Sequence, residues 1–256
     1  SAFAPLHMPK ALELIESAHT HFPGIAQIAC FDTGFHSNLP DVARVLPIDR
    51  ALQADGIRRY GFHGLSCESV LQQLGKQIPQ RIVIAHLGSG ASVTAVRDGR
   101  SVDTSMGLSP TGGIVMGTRS GDLDPGVLLY LMREKGFDLT MIEDLVNRRS
   151  GLLGVSALSS DMRDLHAAAE TNADARLAIQ MFCMSVRKQI AAMTAVLGGL
   201  DLLVFTGGIG ENDARVRAEI CAGLSCIGIQ LDAIANASMA RSIYALVSRC
   251  RVQVLP

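Results

Sequence analysis

The sequence contains no tryptophan, and only 18% of its residues are charged, with a net charge of -1. This balance gives no indication of binding to nucleic acid or to an anionic membrane surface. No apolar run is long enough to cross a bilayer, and the opening residues SAFAPLHMPK lack the basic-then-apolar order of a signal peptide. We therefore expect a cytoplasmic globular protein, whose 256 residues, 48% of them hydrophobic, can bury a sizeable core.

The cysteines lack the spacing of the usual metal and redox motifs. Six cysteines are scattered along the chain without a CxxC pair, and Cys30, Cys183 and Cys221 lie inside apolar stretches. We predict buried, reduced thiols of the kind that cytoplasmic proteins carry. Glycine, in contrast, is abundant, and its 25 copies indicate a chain rich in tight turns.

Helical and strand patterns alternate along the chain. The expected helices span residues 11–19, 126–135, 141–149, 161–170, 173–197 and 213–224. The expected strands are residues 25–32, two strands within 81–100 joined by a glycine-rich turn, a buried strand in DLLVFT, and the closing segment RVQVLP. No repeat, low-complexity segment or linker interrupts this alternation, so we predict an α/β protein.

Two glycine-rich turns follow predicted strands, where α/β proteins bind ligands. In HLGSG (residues 86–90), Gly88 and Gly90 allow backbone N–H groups to approach an anion closely. In TGGIGEN (residues 206–212), the turn leads into a helix whose N-terminus favours negative charge. Each alone is also typical of an ordinary hairpin or strand-to-helix turn, and neither has Rossmann or Walker spacing. Together they suggest a nucleotide held between two loops.

Polar residues are concentrated in FDTGFH (residues 31–36) and RRYGFHG (residues 58–64). Asp32, at the end of a predicted strand, is compatible with a turn cap as well as with an active-site carboxylate. His36 and His63 are compatible with core histidines that make one hydrogen bond. His63, however, follows two arginines within a few residues, a high polar density for a surface turn.

Eight motifs, in their order along the chain, resemble those of the acetate kinases, the acetokinase branch of the superfamily of sugar kinases, heat-shock ATPases and actin. They are FDTGFH, GIRRYGFHG, AHLGSGASV, DTSMGLSP, MGTRSGDLDPG, RRSGLLGVS, SSDMRDL and GGIGEN, and they cover nearly the whole chain. The resemblance implies an α/β fold of the actin-like ATPase (ribonuclease H-like) type, a mixed sheet flanked by helices. It also implies that residues 1–34 form the tail of an N-terminal lobe, as a helix plus a strand, and residues 35–256 a C-terminal nucleotide-binding lobe.

The resemblance further implies reversible, ATP-dependent phosphorylation of acetate to acetyl phosphate by a homodimer that uses Mg²⁺. The alternatives are a propionate or butyrate kinase, or a truncated, inactive nucleotide-binding module of the same fold. By motif, the catalytic residues would be Asp32, His63 and Arg119, with His7 and Phe62 on the substrate side. The ATP-binding residues would be His86, Leu87, Gly88, Ser89, Gly90, Asp161, Met162, Arg163, Gly208, Ile209, Gly210, Glu211 and Asn212.

GTRSGDLDPG (residues 117–126) would deliver Arg119 into the cleft, with Asp122 and Asp124 capping or orienting the loop. Phosphoryl transfer requires positioning and neutralised oxygens, and a guanidinium remains charged and presents a planar fork of donors. The competing interpretation, a helix-capping surface loop, explains Asp124 before Pro125 but not the arginine.

The sequence departs from the family pattern at several positions. Ser89 stands where the family has asparagine, Leu65 and Cys67 replace threonine and histidine, and Met8 replaces asparagine. Compared with the family, the sequence begins after a first phosphate loop that contains a lysine and ends before a Thr-Asp-Glu-Glu stretch that carries a magnesium ligand. We therefore expect the magnesium ligands to lie outside this chain.

Overall fold

The computed structural model describes residues 8–75 and 78–256, and their core is one five-stranded mixed sheet. Its strands, in chain order, are β1 Arg81–Leu87, β2 Ala91–Arg97, β3 Arg100–Thr104, β4 Leu202–Thr206 and β5 Arg251–Val254. In space the order is β3-β2-β1-β4-β5. β1, β2 and β3 pair antiparallel, whereas β1–β4 and β4–β5 pair parallel. The predicted strands in 81–100, in DLLVFT and at the end of the chain are confirmed.

Twelve α-helices of the described residues surround this sheet. They are α1 Met8–His21, α2 Asp41–Arg44, α3 Arg50–Ala54, α4 Gly64–Leu74, α5 Pro125–Glu134, α6 Leu139–Arg148, α7 Gly151–Ser156, α8 Met162–Ala168, α9 Ala173–Leu197, α10 Gly207–Asn212, α11 Ala214–Cys221 and α12 Ala233–Ala237. All six predicted helices are confirmed to within a few residues at their ends. None of the helices described is long and apolar enough to span a membrane.

The central strands bury both faces, and each face packs against its own helices. Val83 and Ala85 of β1 belong to the larger apolar cluster with α9, whereas Ile82 and Ile84 belong to a smaller cluster that includes Val70 of α4. Successive strand residues point to opposite faces, which explains the split. A buried strand pair of this kind requires continuous apolar runs, as RIVIAHL provides.

α9 is long because both of its ends are well specified and its interior is apolar. Asn172 caps the N-terminus, where its side chain accepts hydrogen bonds from the backbone N–H groups of Asp174 and Ala175. Gly198 ends the helix in the left-handed conformation, with φ of 67°. The buried face of α9 lies across β1 and β2 and fixes the helices α7, α8 and α11 around it.

The strand predicted for residues 25–32 is wrong. The segment is irregular, and Ile25 and Ile28 are 66% and 87% exposed. A strand requires a neighbour that pairs with its backbone groups, and none of the strands described pairs with it. The same segment carries Cys30, which is exposed rather than buried. All six cysteines are free, and Cys67, Cys183, Cys221 and Cys250 are buried.

Candidate functional site

Three of the predicted segments meet around one cavity of about 520 Å³. The segments are the HLGSG turn between β1 and β2, the start of α8, and the glycine-rich stretch after β4. The cavity is lined by Gly88, Ser89, Ser160, Asp161, Met162, Arg163, Gly208, Ile209, Asn212 and Asp213. Eight of these ten are among the predicted ATP-binding residues. Ser160 and Asp213 were missed, although each directly neighbours a predicted residue.

Parallel pairing brings the two glycine-rich segments together. His86 in β1 lies beside Thr206 in β4, so the chain leaves both strands at the same edge of the sheet. A side chain on Gly207, whose φ is 79°, would come within 2.8 Å of the Leu87 carbonyl oxygen. Glycine is therefore required where the two segments touch.

The second glycine-rich segment is not the turn that the sequence suggested. GGIGEN itself forms the six-residue helix α10, which begins directly at Gly207 after β4. The φ of Gly207 turns the chain within one residue, so no loop is needed between strand and helix. Gly208 and Ile209 face the cavity, whereas Gly210 is buried.

The start of α8 forms the opposite wall of the cavity. Asp161 caps the helix by accepting from the Arg163 backbone N–H, and its carboxylate also pairs with the Arg163 guanidinium at 2.6 Å. These bonds lower the pKa of Asp161 to about 2. Arg163 is 89% exposed, so the pair adds little stability, but it keeps a carboxylate charged at the cavity wall.

A histidine that sequence analysis missed joins this wall to the glycine-rich side. His166 of α8 lies 2.8 Å from the Asp213 carboxylate. Asp213 also caps α11 by accepting from the Val216 backbone N–H. This contact connects two walls of the cavity across 47 residues of sequence, and no local signal in the sequence identifies it.

The predicted catalytic residues lie on the other side of the HLGSG turn. A side chain on Gly90 would come within 3.2 Å of Arg119 Nη1 and 3.4 Å of His63 Nε2. The His63 and His86 rings stack with their centroids 4.1 Å apart. Gly90 thus lies between a guanidinium and an imidazole and borders the cavity through Ser89, so the turn connects the two groups of residues.

Asp32 fixes the backbone that carries His63. Its carboxylate accepts from the His63 backbone N–H at 2.8 Å, and its carbonyl accepts from Gly64 N–H at 2.8 Å. His63 has a φ of 60°, an uncommon conformation for a non-glycine residue. The two hydrogen bonds hold this conformation where α4 begins. Asp32 therefore positions His63.

Arg119 lies on a loop that the structure holds firmly. Its Nη1 donates to the Pro110 carbonyl at 3.1 Å, and Gly117 N–H donates to the Ser89 carbonyl at 3.1 Å. Burial lowers the pKa of Arg119. Because the ordinary pKa of an arginine side chain lies far above neutral pH, the guanidinium still remains charged. The loop carrying the guanidinium is therefore attached to the HLGSG turn itself.

Asp122 and Asp124 help to hold this loop. Asp124 caps α5 by accepting from the Gly126 N–H, as the Asp-Pro sequence suggested. Asp122 accepts from the Gly113 N–H at 2.7 Å and so closes the loop onto the preceding segment.

The remaining predicted residues support the site or lie away from it. His36 is a core histidine, as the alternative interpretation held: it is 2% exposed, and burial lowers its pKa. It makes two hydrogen bonds, one of them to the Phe62 carbonyl at 3.0 Å.

Phe62 packs against the core, and Leu87 is fully buried. The backbone carbonyls of Gly210 and Glu211 accept from a buried arginine, Arg217. His7 lies outside the described residues.

Within residues 8–75 and 78–256, no group of three or more histidine, cysteine, aspartate or glutamate side chains is placed to hold a metal ion.

The sequence and the structure both match known phosphotransferases. The profile of the acetokinase family matches residues 1–255. Acetate kinase from Methylocella silvestris is 47% identical over 257 residues, covering 99% of this chain and 63% of that protein. Acetate kinase from Clavibacter sepedonicus is 50% identical over 239 residues, covering 91% of this chain and 60% of that protein.

Two solved structures superpose closely on the chain. A propionate kinase from Francisella tularensis gives a TM-score of 0.93 at 40% identity, and Porphyromonas gingivalis acetate kinase gives 0.91 at 38%. Each covers 98% of this chain, which spans 66% of either neighbour. These neighbours confirm that the chain has the fold of acetate and propionate kinases, with a mixed sheet flanked by helices as the motifs implied. The chain belongs to the acetokinase family.

Proposed function

We propose that this chain supplies the nucleotide-binding part of an acetate kinase, which transfers the γ-phosphoryl group of ATP reversibly to acetate. The observation that carries the proposal is the convergence of HLGSG, the start of α8 and α10 on one cavity, with Arg119 and His63 on either side of Gly90. Within this proposal, residues 35–256 form the nucleotide-binding lobe, and residues 1–34 are the tail of the other lobe.

In the proposed arrangement the nucleoside occupies the cavity between α8 and α10, and its phosphates follow the HLGSG turn towards Arg119. The 520 Å³ cavity is in the range of small-molecule sites. Gly90 would leave room for phosphate oxygens beside the turn, since a side chain there would lie 3.2 Å from Arg119 Nη1. The Gly88 N–H donates to the Gly90 carbonyl at 3.1 Å and so closes the turn. Ser89, between them, offers a hydroxyl donor at the cavity.

Arg119 and His63 would stabilise the transferring group. A carboxylate oxygen of acetate attacks the γ-phosphorus, and the bond to the bridging oxygen of ADP breaks, so no proton has to move. Negative charge is spread over the equatorial phosphoryl oxygens during this step. A guanidinium beside those oxygens neutralises the charge, and an arginine so placed accounts for about 10³ to 10⁵ in rate. Asp32 would act by holding His63 in place.

Acetate is proposed as the acceptor because relatives that are 45–50% identical bear the name acetate kinase. The propionate kinase among the structural neighbours makes propionate the acceptor to compare with it. We also propose ATP and ADP as the nucleotides, Mg²⁺ as the metal of the reaction, a homodimer as the assembly, and the cytoplasm as the location, which suits six free cysteines.

Trapping of acyl phosphate with hydroxylamine tests the proposed reaction, with acetate, propionate and butyrate compared at equal concentration in the presence of ATP and Mg²⁺. We expect the acyl hydroxamate to form fastest with acetate, and its formation to stop in the Arg119→Ala variant. Faster formation with propionate would instead identify a propionate kinase. ADP binding by calorimetry without hydroxamate formation would support the inactive nucleotide-binding module.

A further inference from the structure

Two serine hydroxyls that the motifs did not single out contact the stacked histidines. Ser92 Oγ lies 2.9 Å from His63 Nδ1, and Ser66 Oγ lies 2.9 Å from His86 Nδ1. Ser92 is the strand neighbour of His86 in β2, yet its hydroxyl contacts the other ring. The four side chains thus form one unit that joins α4, β1 and β2.

The burial of Ser92 favours donation of its hydroxyl proton to His63. The residue is only 1% exposed, and a buried hydroxyl proton without an acceptor is costly. Among the described residues, the side-chain atom that this hydroxyl contacts is His63 Nδ1, at 2.9 Å. Because a neutral imidazole has one N–H and one acceptor nitrogen, a donating Ser92 leaves the proton of His63 on Nε2.

His36 shows the same arrangement with the direction settled by a carbonyl. Its Nε2 lies 3.0 Å from the Phe62 carbonyl oxygen, which can only accept. His36 therefore carries its proton on Nε2, and its Nδ1 accepts from Ser101 Oγ at 2.8 Å. A serine that donates to Nδ1 of a neutral histidine thus occurs in the adjacent strand β3, outside the candidate site.

The Nε2 atoms of both stacked rings face the HLGSG turn. A side chain on Gly90 would lie 3.4 Å from His63 Nε2, and one on Gly88 would lie 4.0 Å from His86 Nε2. We propose that Ser66 and Ser92 are positioning residues that hold His86 and His63 as Nε2–H tautomers, so that both rings donate to phosphoryl oxygens while uncharged. This inference rests on the proposed function for the identity of the ligand and on the serine contacts for the tautomers.

The electrostatic surroundings agree with uncharged rings. Burial lowers the pKa of His86, and two stacked imidazolium ions 4.1 Å apart would repel one another. Among the described residues, the charged groups near the pair include the carboxylate of Asp32, which acts against the lowering of the pKa of His86, and the guanidinium of Arg119. Arg119 already supplies the positive charge at the turn, so the histidines need only direct neutral hydrogen bonds.

Nitrogen-15 NMR of histidine-labelled protein at pH 8 tests the proposal without reference to turnover. Long-range proton–nitrogen spectra distinguish a protonated from an unprotonated ring nitrogen, and single His→Gln variants assign the signals. We expect His63, His86 and His36 all to appear as Nε2–H tautomers. We expect Ser92→Ala to give a mixture of tautomers at His63, and Ser66→Ala to do the same at His86, whereas Ser92→Thr and Ser66→Thr retain the wild-type signals.

Ser101→Ala is the matched control, because it removes the same kind of hydrogen bond from a histidine outside the site. His36 should keep its Nε2 proton in this variant, since the Phe62 carbonyl still accepts it. Calorimetry should show ADP binding weakened about tenfold by Ser92→Ala and unchanged by Ser101→Ala, with circular dichroism confirming that each variant is folded.

An Nδ1–H tautomer at His63 and His86 in the wild-type protein, or tautomers unchanged by the alanine substitutions, would overturn the inference. A failure of wild-type protein to bind ADP, with the tautomers as expected, would instead overturn the proposed function and leave the serine–histidine assignment intact. The two failures are therefore separable.

Discussion

At the scale of single residues, Arg119 is held close to the HLGSG turn. Its guanidinium donates to the Pro110 carbonyl and lies within reach of any side chain added at Gly90. Its loop hydrogen-bonds to the HLGSG turn through Gly117 and Ser89. A structural arginine can make the same contacts, so the catalytic role of Arg119 is a proposal that its variants test.

Replacing Arg119 by lysine keeps the charge and removes the planar fork of donors. We expect Arg119→Lys to lower kcat more than tenfold in the phosphotransferase assay and to change nucleotide affinity little, because the interaction is made mainly in the transition state. Arg100→Lys, on the exposed start of β3, is the control. Equal kcat for Arg119→Lys and wild type would make Arg119 a structural loop residue.

At the scale of elements, helix α10 depends on a cation in the helix that follows it. Arg217 of α11 is fully buried and donates to the carbonyls of Gly210 and Glu211, at the end of α10, at 2.9 and 2.8 Å. It also donates to the side chain and the carbonyl of Asn236 in α12. One side chain thus satisfies four acceptors and joins three helices behind the cavity.

Removal of this guanidinium should destabilise the protein strongly. Arg217→Met keeps much of the apolar stem but leaves buried carbonyls without donors, and we expect a loss of about 3 kcal/mol in the free energy of unfolding. Urea unfolding monitored by circular dichroism measures this loss. Arg163→Met removes a guanidinium that is almost fully exposed and should leave the unfolding midpoint nearly unchanged. A similar midpoint for both variants would contradict the structural role given to Arg217.

At the scale of the whole molecule, buried neutral histidines make stability depend on pH. Burial lowers the pKa of His36 and of His86, so the unfolded chain binds more protons than the folded chain once the pH falls below the ordinary histidine value of about 6.5. The stability is fully present above that value and is lost as the pH falls through the lowered pKa values.

Denaturant unfolding at pH 7.5 and pH 5.5 should therefore show lower stability at pH 5.5. The His36→Gln variant should lose part of this difference because one of the two groups is removed. The raised pKa of Asp103 acts in the opposite sense, but it is common to both proteins and cancels in the comparison. An identical pH dependence of the variant and wild type would show that His36 is not a buried neutral group.

Much of the fold could be predicted because its elements are coded locally. The apolar run of β1 and the capped, apolar sequence of α9 each identify their own structure. Residues 25–32 have an equally apolar sequence, but strand formation depends on a partner strand that periodicity cannot supply. Ile28 is exposed although its segment is apolar, so apolar composition alone does not identify a buried strand.

The candidate site was predictable as far as its motifs extend. HLGSG, the start of α8 and α10 are each a continuous stretch of sequence, and the pairing of β1 with β4 brings the first and the last of them together. The contacts of Ser66 and Ser92 with histidines 20 and 29 residues away, and of His166 with Asp213, come from tertiary packing alone. Serine is too common in helices and strands to mark such a contact in advance.

The central claim is that phosphates lie along the HLGSG turn while the nucleoside fills the cavity, and calorimetry of Gly90→Ala with ADP and with adenosine tests it most directly. The added methyl group would lie 3.2 Å from Arg119 Nη1 and 3.4 Å from His63 Nε2, so we expect ADP to bind at least tenfold more weakly and adenosine to bind as before. Gly107→Ala, whose methyl group meets nothing within 4 Å, is the control and should bind both ligands like wild type. A variant that loses adenosine as severely as ADP, or that retains ADP at the wild-type affinity, would contradict the phosphate role of the turn.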